Sequence, residues 1–121
     1  EAEVKRRRSA VLADFPTAIR HILRKQLLAG DVTMEHVAAR LAMHRRTLDR
    51  RLKAFGLDYS EVLESVKHDV ACQLLRDTHL PMHEIAAAVH YSGAANFSTA
   101  FRRWTGMTPS AYRKLVGRSA S

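Results

Sequence analysis

Two stretches of this sequence match each other and decide the fold: MEHVAARL at residues 34–41 and MHEIAAAV at residues 82–89. The match continues past a short gap, where Leu48 aligns with Phe97 at an offset of 49 residues. In each copy an apolar pattern of helical spacing is interrupted by a turn and resumes among basic residues. Each copy therefore predicts a short helix, a tight turn and a basic second helix.

Each copy also carries a pair of alanines in its first helix, Ala38-Ala39 and Ala86-Ala87. Two helices that cross steeply after a tight turn need small side chains where they approach most closely. This is the arrangement of a helix-turn-helix, whose second helix enters the major groove of DNA. A plain helical repeat without DNA binding is the alternative, and the basic second helix in both copies argues against it.

Start and stop signals outside the repeats complete an all-α fold of about seven helices. Pro16 opens a first helix that Gly30 ends, and Thr33 is the expected N-cap of the next helix. Asp58, with Glu61 three residues later, resembles a capping box and opens the longest helix, which extends to about Thr78. Near the end, Thr108-Pro109 is an N-cap followed by a proline at the first helical position.

These signals divide the chain into two helix-turn-helix subdomains joined by a long linker helix. The apolar pattern predicts buried faces that include Leu28 in the first helix, and Phe55 and Trp104 at the ends of the two basic helices. The expected segments are a flexible basic tail or linker at 1–16, the first subdomain at 17–57, the linker helix at 58–79, the second subdomain at 80–117 and a tail at 118–121.

The charge distribution points to a polyanionic partner, either nucleic acid or an anionic membrane surface. Twenty Lys and Arg against twelve Asp and Glu give a formal net charge of +8. Residues 43–53 carry five basic residues and one acid (+4), and residues 101–118 carry five basic residues and no acid (+5). Residues 58–84 between them carry six acids and two basic residues (−4). Two basic blocks flanking an acidic connector indicate two contact regions rather than a uniformly basic surface.

Other features of the sequence favour a cytoplasmic protein close to the nucleoid. No apolar run approaches the roughly 20 residues of a membrane span, so no membrane-spanning segment is expected. Of the two polyanions, we expect nucleic acid and no membrane as the partner. The charged N-terminus shows no signal peptide. The single cysteine, Cys72, cannot form an internal disulfide, which is typical of a reducing compartment, and we expect it to pack as a small buried residue.

The stretch from Glu84 to Arg113, EIAAAVHYSGAANFSTAFRRWTGMTPSAYR, resembles the signature of the AraC/XylS family of transcription regulators. The first copy is similar to that family's first unit at Val37-Ala38, Leu48, residues 51–53 and Gly56. The resemblance covers about residues 17–113. It implies seven helices, two helix-turn-helix subdomains joined by the long helix, and both second helices docked in successive major grooves of promoter DNA.

The sequence departs from the family pattern at the second turn, where His90 stands in place of the usual glycine. The turn calls for a left-handed backbone, which histidine adopts more readily than most residues do. We therefore expect the turn to persist with modest strain and to weaken or tune the second unit.

Position along the two basic helices assigns the residues that contact DNA. Arginine can bind guanine through two hydrogen bonds, aspartate can accept one from cytosine, and asparagine can pair with adenine. The first helix, with more charged side chains, is expected to be the stronger reader and the second an anchor. The expected base contacts are Arg46, Asp49, Arg50, Ala95, Asn96 and Thr99, and the expected phosphate contacts are Arg45, Thr47, Lys53, Ser98, Arg102 and Arg103.

Family members usually carry a separate N-terminal domain that senses a ligand or dimerises. The resemblance therefore implies that this chain is a fragment of a longer regulator. RNA polymerase is a further expected partner, through the acidic long helix or the first helix. A helical interaction module that binds a protein partner is the alternative reading of the whole chain.

An enzyme is the competing class, and the sequence argues against it. It has no phosphate-binding glycine loop and no Ser-His-Asp arrangement with supporting structural context. His79 and His83 have the spacing of helical metal ligands, but Pro81 interrupts the pair and no third ligand is evident. We expect no catalytic residue, no metal and no cofactor.

Overall fold

The structure is a computed structural model and describes residues 15–117. Seven α-helices and no strand are present in these residues, which confirms the expected all-α fold. The helices are α1 (Phe15–Ala29), α2 (Met34–Arg40), α3 (Arg45–Ala54), α4 (Tyr59–Asp77), α5 (Met82–Ala88), α6 (Ala94–Thr105) and α7 (Pro109–Gly117).

The helix boundaries follow the local signals closely. Helix α1 already includes Phe15 and Pro16, the last two residues of the expected basic tail. The rest of that tail and the expected tail at 118–121 lie outside the described residues. Pro81, a residue type that suits the start of a helix, is the N-cap of α5. The chain divides into two compact units within α4, the first ending at Leu63 and the second beginning at Glu64.

The first unit has its core among α1, α2 and α3. Helix α1 contributes Ile19 and Leu23, which are fully buried, and α3 contributes Leu48 and Leu52. The start of α4 is anchored by Tyr59, whose hydroxyl donates a hydrogen bond of 2.6 Å to the carbonyl oxygen of Val32. This side chain is only 8% exposed, and burial, followed by the nearby carboxylates of the Asp31–Glu35 segment, raises its pKa to about 12.

The second unit is built around aromatic side chains on α6. Phe97 and Phe101 are fully buried and their ring centroids lie 5.8 Å apart. Tyr112 of α7 packs edge-on against Phe101 at 5.4 Å, and Tyr91 packs edge-on against Trp104 at 5.9 Å. Such tilted and T-shaped pairs add stability beyond the area that they bury.

The two helix-turn-helix turns share one backbone geometry. The residue after the C-cap is left-handed in both, with φ of 56° at Ala42 and 64° at His90. Met43 N–H donates to the carbonyl of Ala38 at 3.0 Å, and Tyr91 N–H donates to the carbonyl of Ala86 at 2.8 Å. These are the bonds of a Schellman motif, which satisfies the last carbonyls of a helix. The left-handed backbone expected at His90 is confirmed, and Ala42 has the same conformation without having been predicted.

Some side chains expected in the core are exposed. Leu28 is 62% exposed because it follows the fully inward Leu27 by one residue, about 100° around α1. Phe55 is 45% exposed because it is the C-cap of α3, and its ring stacks on Phe15 with centroids 5.6 Å apart. Trp104 is half-buried, since its indole nitrogen donates to a carboxylate instead of entering the core.

The alanine pairs and Cys72 also differ in detail from expectation. Only the first alanine of each pair is buried, Ala38 and Ala86, whereas Ala39 and Ala87 are exposed. One small side chain at the helix contact is therefore enough. Cys72 is half-buried on α4, and this partial burial raises the pKa of its thiol.

Within residues 15–117, none of the helices is both long and apolar enough to cross a membrane. In the same residues no group of three or more His, Cys, Asp or Glu side chains is arranged to hold a metal ion.

Candidate nucleic-acid interface

Helix α3 presents its basic face to solvent because its apolar face is fixed in the core. Leu48 and Leu52, four residues apart, are both fully buried. Arg46 and Arg50 are also four residues apart, lie on another side of the helix and are exposed. Because the two leucines fix one side of the helix in the core, helical periodicity directs the two guanidinium groups toward solvent.

The start of α3 is held by an unexpected cap. The ring nitrogen Nδ1 of His44 accepts a hydrogen bond of 3.1 Å from the backbone N–H of Arg46. Acceptance at Nδ1 requires a ring without a proton on that nitrogen. Histidine is not among the residues that favour N-caps, so the sequence does not predict this cap.

One open cleft of about 310 Å³ is lined by three of the predicted DNA contacts on α3, Arg45, Arg46 and Asp49, together with Met34 and His44. Arg45 is held there by Glu35 of α2, with 3.3 Å between Nη1 and Oε2, and by a 3.4 Å contact from Nε to the sulfur of Met34. Asp49 pairs with Lys53 one turn later at 3.2 Å. The cleft is thus polar, solvent-accessible and carries both signs of charge.

Helix α6 presents a milder surface. Phe97, Ala100 and Phe101 are buried, and a cavity of about 490 Å³ opens on the other side of the helix. Its lining residues are four of the predicted DNA contacts, Ala95, Ser98, Thr99 and Arg102.

Two of the polar side chains on α6 are already engaged locally. The amide of Asn96 donates to the hydroxyl of Ser92 at 2.5 Å. The hydroxyl of Thr99 donates to the carbonyl of Ala95 at 3.1 Å. Reading a base through either group therefore means giving up an internal hydrogen bond.

Arg103 is paired with a residue that the sequence analysis did not single out. Its guanidinium hydrogen-bonds to Oε1 of Glu64 on α4, and the same oxygen accepts a 2.7 Å bond from the indole nitrogen of Trp104. These two bonds, that from Trp104 first, lower the pKa of Glu64. Nothing local in the sequence identifies this pair, because its members lie 39 residues apart.

None of the predicted DNA contacts is buried. Most are exposed, and Thr47, Asp49 and Ser98 are half-buried. The six predicted contacts between residues 45 and 53 lie on α3, and the six between residues 95 and 103 lie on α6.

A family model for a helix-turn-helix domain of the AraC type matches residues 37–115, which include both turns and both second helices. This chain belongs to the AraC/XylS family. The match covers well over half of the chain, and the resemblance drawn from the residues is confirmed.

Individual relatives are transcription regulators. The ornithine utilization regulator of Pseudomonas aeruginosa is 41% identical over 95 residues, which cover 76% of this chain and 28% of that protein. The regulator VirS of Mycobacterium tuberculosis is 37% identical over 79% of this chain and 28% of its own length. This chain therefore spans about a quarter of the length of these relatives.

A solved structure of a protein–DNA complex resembles this AraC/XylS chain. The DNA-binding domain of the global transcriptional factor AdpA, in complex with a target DNA, is 26% identical and has a TM-score of 0.62. The likeness covers 80% of this chain and 90% of that domain.

Proposed function

We propose that this chain is the DNA-binding part of a transcription regulator and that α3 and α6 are its two recognition helices, each reading a major groove of promoter DNA. The observation that carries the proposal is the exposed Arg46 and Arg50 pair on α3, fixed opposite the buried Leu48 and Leu52. The AdpA domain supports it, because a domain of similar fold is solved with its target DNA.

The chemistry of the two helices supports an uneven division of labour. Arg46 and Arg50 suit guanine, and Asp49 suits the amino group of cytosine. On α6, Asn96 suits adenine, Ala95 suits a thymine methyl group and Thr99 provides a hydroxyl for either kind of base. The side chains that we assign to the DNA backbone are Arg45, Thr47, Lys53, Ser98, Arg102 and Arg103. Helix α3 is then the principal reader and α6 an anchor with modest sequence preference.

A binding assay tests this proposal directly. Bound duplexes are first selected from a random pool, and the best site is compared with a random duplex by gel shift. Arg46→Ala or Arg50→Ala is expected to cost about 1–3 kcal/mol on the selected site, because each removes a contact to a base edge. Random duplex should be affected much less, so that specificity at the contacted base pair relaxes.

The matched control is Lys25→Ala, which removes one positive charge from an exposed position on α1. It should leave the preference for the selected site unchanged. If the Arg50 variant weakens selected and random duplexes equally, the base-reading role is refuted. If the unmodified protein shifts no duplex at low salt, DNA binding itself is refuted.

The remainder of the regulator is part of the same proposal. Because this chain spans about a quarter of its relatives, we infer that a separate domain for sensing or dimerisation completes the protein and that RNA polymerase is a partner at the promoter. Such a regulator acts in the bacterial cytoplasm at the nucleoid, where promoter DNA is located. Co-purification of the full-length regulator with polymerase on promoter DNA tests the second partner.

A further inference from the structure

Three cations that we assign to DNA phosphates are bound to acids of the same chain. Arg45 pairs with Glu35, Lys53 with Asp49, and Arg103 with Glu64. The base-reading Arg46 and Arg50 differ, because neither has an ion-pair partner within residues 15–117, and the same is true of the phosphate-assigned Arg102. The pairing therefore falls on three of the cations with a sequence-independent role and spares the two base-reading arginines, although the acid that pairs with Lys53 is the base-assigned Asp49.

The carboxylate of Glu64 is the most firmly placed of these acids. It accepts the 2.7 Å bond from Trp104 as well as the bond from Arg103, and Trp104 is itself held edge-on against Tyr91 and Phe101. Because Trp104 and Arg103 lower the pKa of Glu64, the group remains ionised at neutral pH. A fixed negative charge thus lies beside the guanidinium of Arg103.

Arg103 also borders the surface that we assign to DNA. Asn96, Thr99 and Arg103 follow one another at intervals of three and four residues, which places them on one face of α6. The side chain of Arg103 is 61% exposed, so a phosphate can approach it from solvent. Any phosphate that does so must displace, or share the guanidinium with, the carboxylate of Glu64.

We propose that Glu64 on α4 and Glu35 on α2 act as intramolecular competitors of DNA phosphate. Each carboxylate occupies an arginine that would otherwise bind the DNA backbone, and so lowers the affinity for duplex of any sequence. This inference rests on the proposed function. Because Arg46 and Arg50 have no such competitor, the loss is common to selected and random duplexes, and the base contacts that distinguish the two duplexes are left unchanged.

The substitution Glu64→Gln tests the proposal while leaving most of the site in place. Glutamine keeps an oxygen that can accept from Trp104 and removes only the charge. Affinity for a random duplex should increase about 2- to 5-fold, because this factor corresponds to the free energy of a typical exposed ion pair. The slope of log K against log salt should become steeper by about 0.9, the contribution of one newly made phosphate contact.

A matched control separates the local effect from the change in net charge. Glu61→Gln removes the same charge from an exposed position on the same helix, three residues away. On a logarithmic scale, Glu61→Gln should change the affinity for random duplex by less than half as much as Glu64→Gln does. Equal gains for Glu61→Gln and Glu64→Gln would overturn the proposal, because a general charge effect would then explain both.

A double-mutant cycle identifies the arginine that is released. Arg103→Ala should change random-duplex affinity little in the unmodified protein but should abolish the whole gain in the Glu64→Gln background. The same loss in both backgrounds would overturn the proposal. If Glu64→Gln lowers the melting temperature too far for comparison, Glu35→Gln combined with Arg45→Ala repeats the cycle in the first unit. Failure of the unmodified protein to bind any duplex would instead refute the proposed function.

Discussion

At the scale of single residues, the two left-handed positions Ala42 and His90 stand out. A left-handed backbone costs an L-residue roughly 1–2 kcal/mol, whereas glycine adopts it without a steric penalty. Glycine has its own cost of about 0.5–1 kcal/mol, through the greater freedom of its unfolded chain. Both turns therefore hold a modest strain. The sequence singles out the second turn, but the first turn has the same left-handed backbone.

Replacement of Ala42 by glycine should stabilise the protein. Ala42→Gly is expected to raise the free energy of unfolding by about 0.5–1 kcal/mol, the difference between the two costs. Urea denaturation followed by circular dichroism measures this change. Ala39→Gly is the control, because Ala39 is exposed within α2 and should lose about 1 kcal/mol. A loss of stability at Ala42 similar to that at Ala39 would contradict the assigned backbone.

Tyr59 gives a residue-scale prediction that depends on pH. Folding raises its pKa from 10.0 to about 12, so the stability that it contributes is complete below pH 10 and is lost as the pH rises toward 12. Tyr59→Phe should cost about 1 kcal/mol at neutral pH, because the bond to Val32 is lost. Because phenylalanine has no hydroxyl to ionise, the free energy of unfolding of the variant should also fall less than that of the unmodified protein as the pH rises above 10. Urea midpoints at several pH values between 7 and about 11.5 test both points, and parallel profiles for the two proteins would count against them.

At the scale of helices, the sequence predicted where elements begin and end better than what their ends contact. Capping is a local interaction, so Thr33 and Thr108 could be identified from neighbours two or three residues away, and both accept the expected backbone hydrogen bond. The ends of α3 and α6 were harder to predict. Phe55 and Trp104 are apolar enough for the core, but each lies near a terminus where periodicity no longer determines burial.

The candidate site shows the same division. The outward side of α3 follows from its buried leucines and could be predicted from spacing alone. The pairing of Arg103 with Glu64 depends on how α4 packs against α6 within the second unit, and no pattern within either helix contains that information.

A cap substitution tests the importance of these helix ends. Thr33→Ala removes the hydroxyl that accepts from His36 N–H at 3.2 Å, and should cost about 1 kcal/mol because α2 has only seven residues. Thermal unfolding measures the loss. Thr33→Ser keeps the acceptor and should retain most of the stability, so equal losses for alanine and serine would argue that the cap contributes little.

At the scale of the whole molecule, the net charge of +8 favours binding to polyanions, and the distribution of the charge indicates which surfaces make the contact. Basic residues are concentrated on α3, which carries five, whereas α6 carries only Arg102 and Arg103. Acidic residues are concentrated on the connecting segment, and one of them faces a cation of the second unit. If these acids compete with phosphate as we propose, the salt dependence of DNA binding should report fewer phosphate contacts than a count of exposed arginines and lysines would suggest.

Arg102 provides the corresponding prediction. It lines the α6 cavity and has no ion-pair partner in the described part of the chain. Arg102→Ala should weaken binding to selected and random duplexes alike and should reduce the salt slope by about 0.9, because one phosphate contact is lost. Gel shifts across a salt series measure both quantities. A loss confined to the selected site would reassign Arg102 to base reading.

The location of the boundary between the two units within α4 has a consequence for how the protein can be taken apart. A cut after Leu63 would leave residues 59–63 as a helical stub at the end of the first fragment. A helix of that length does not persist in water without continuation, since forming its first turn costs more than its few hydrogen bonds return. Tyr59 would then lose the support of the helix that positions it. Fragments designed to hold one unit should therefore overlap and should each retain the whole of α4. The first fragment should extend to Asp77, and the second should begin at or before Tyr59.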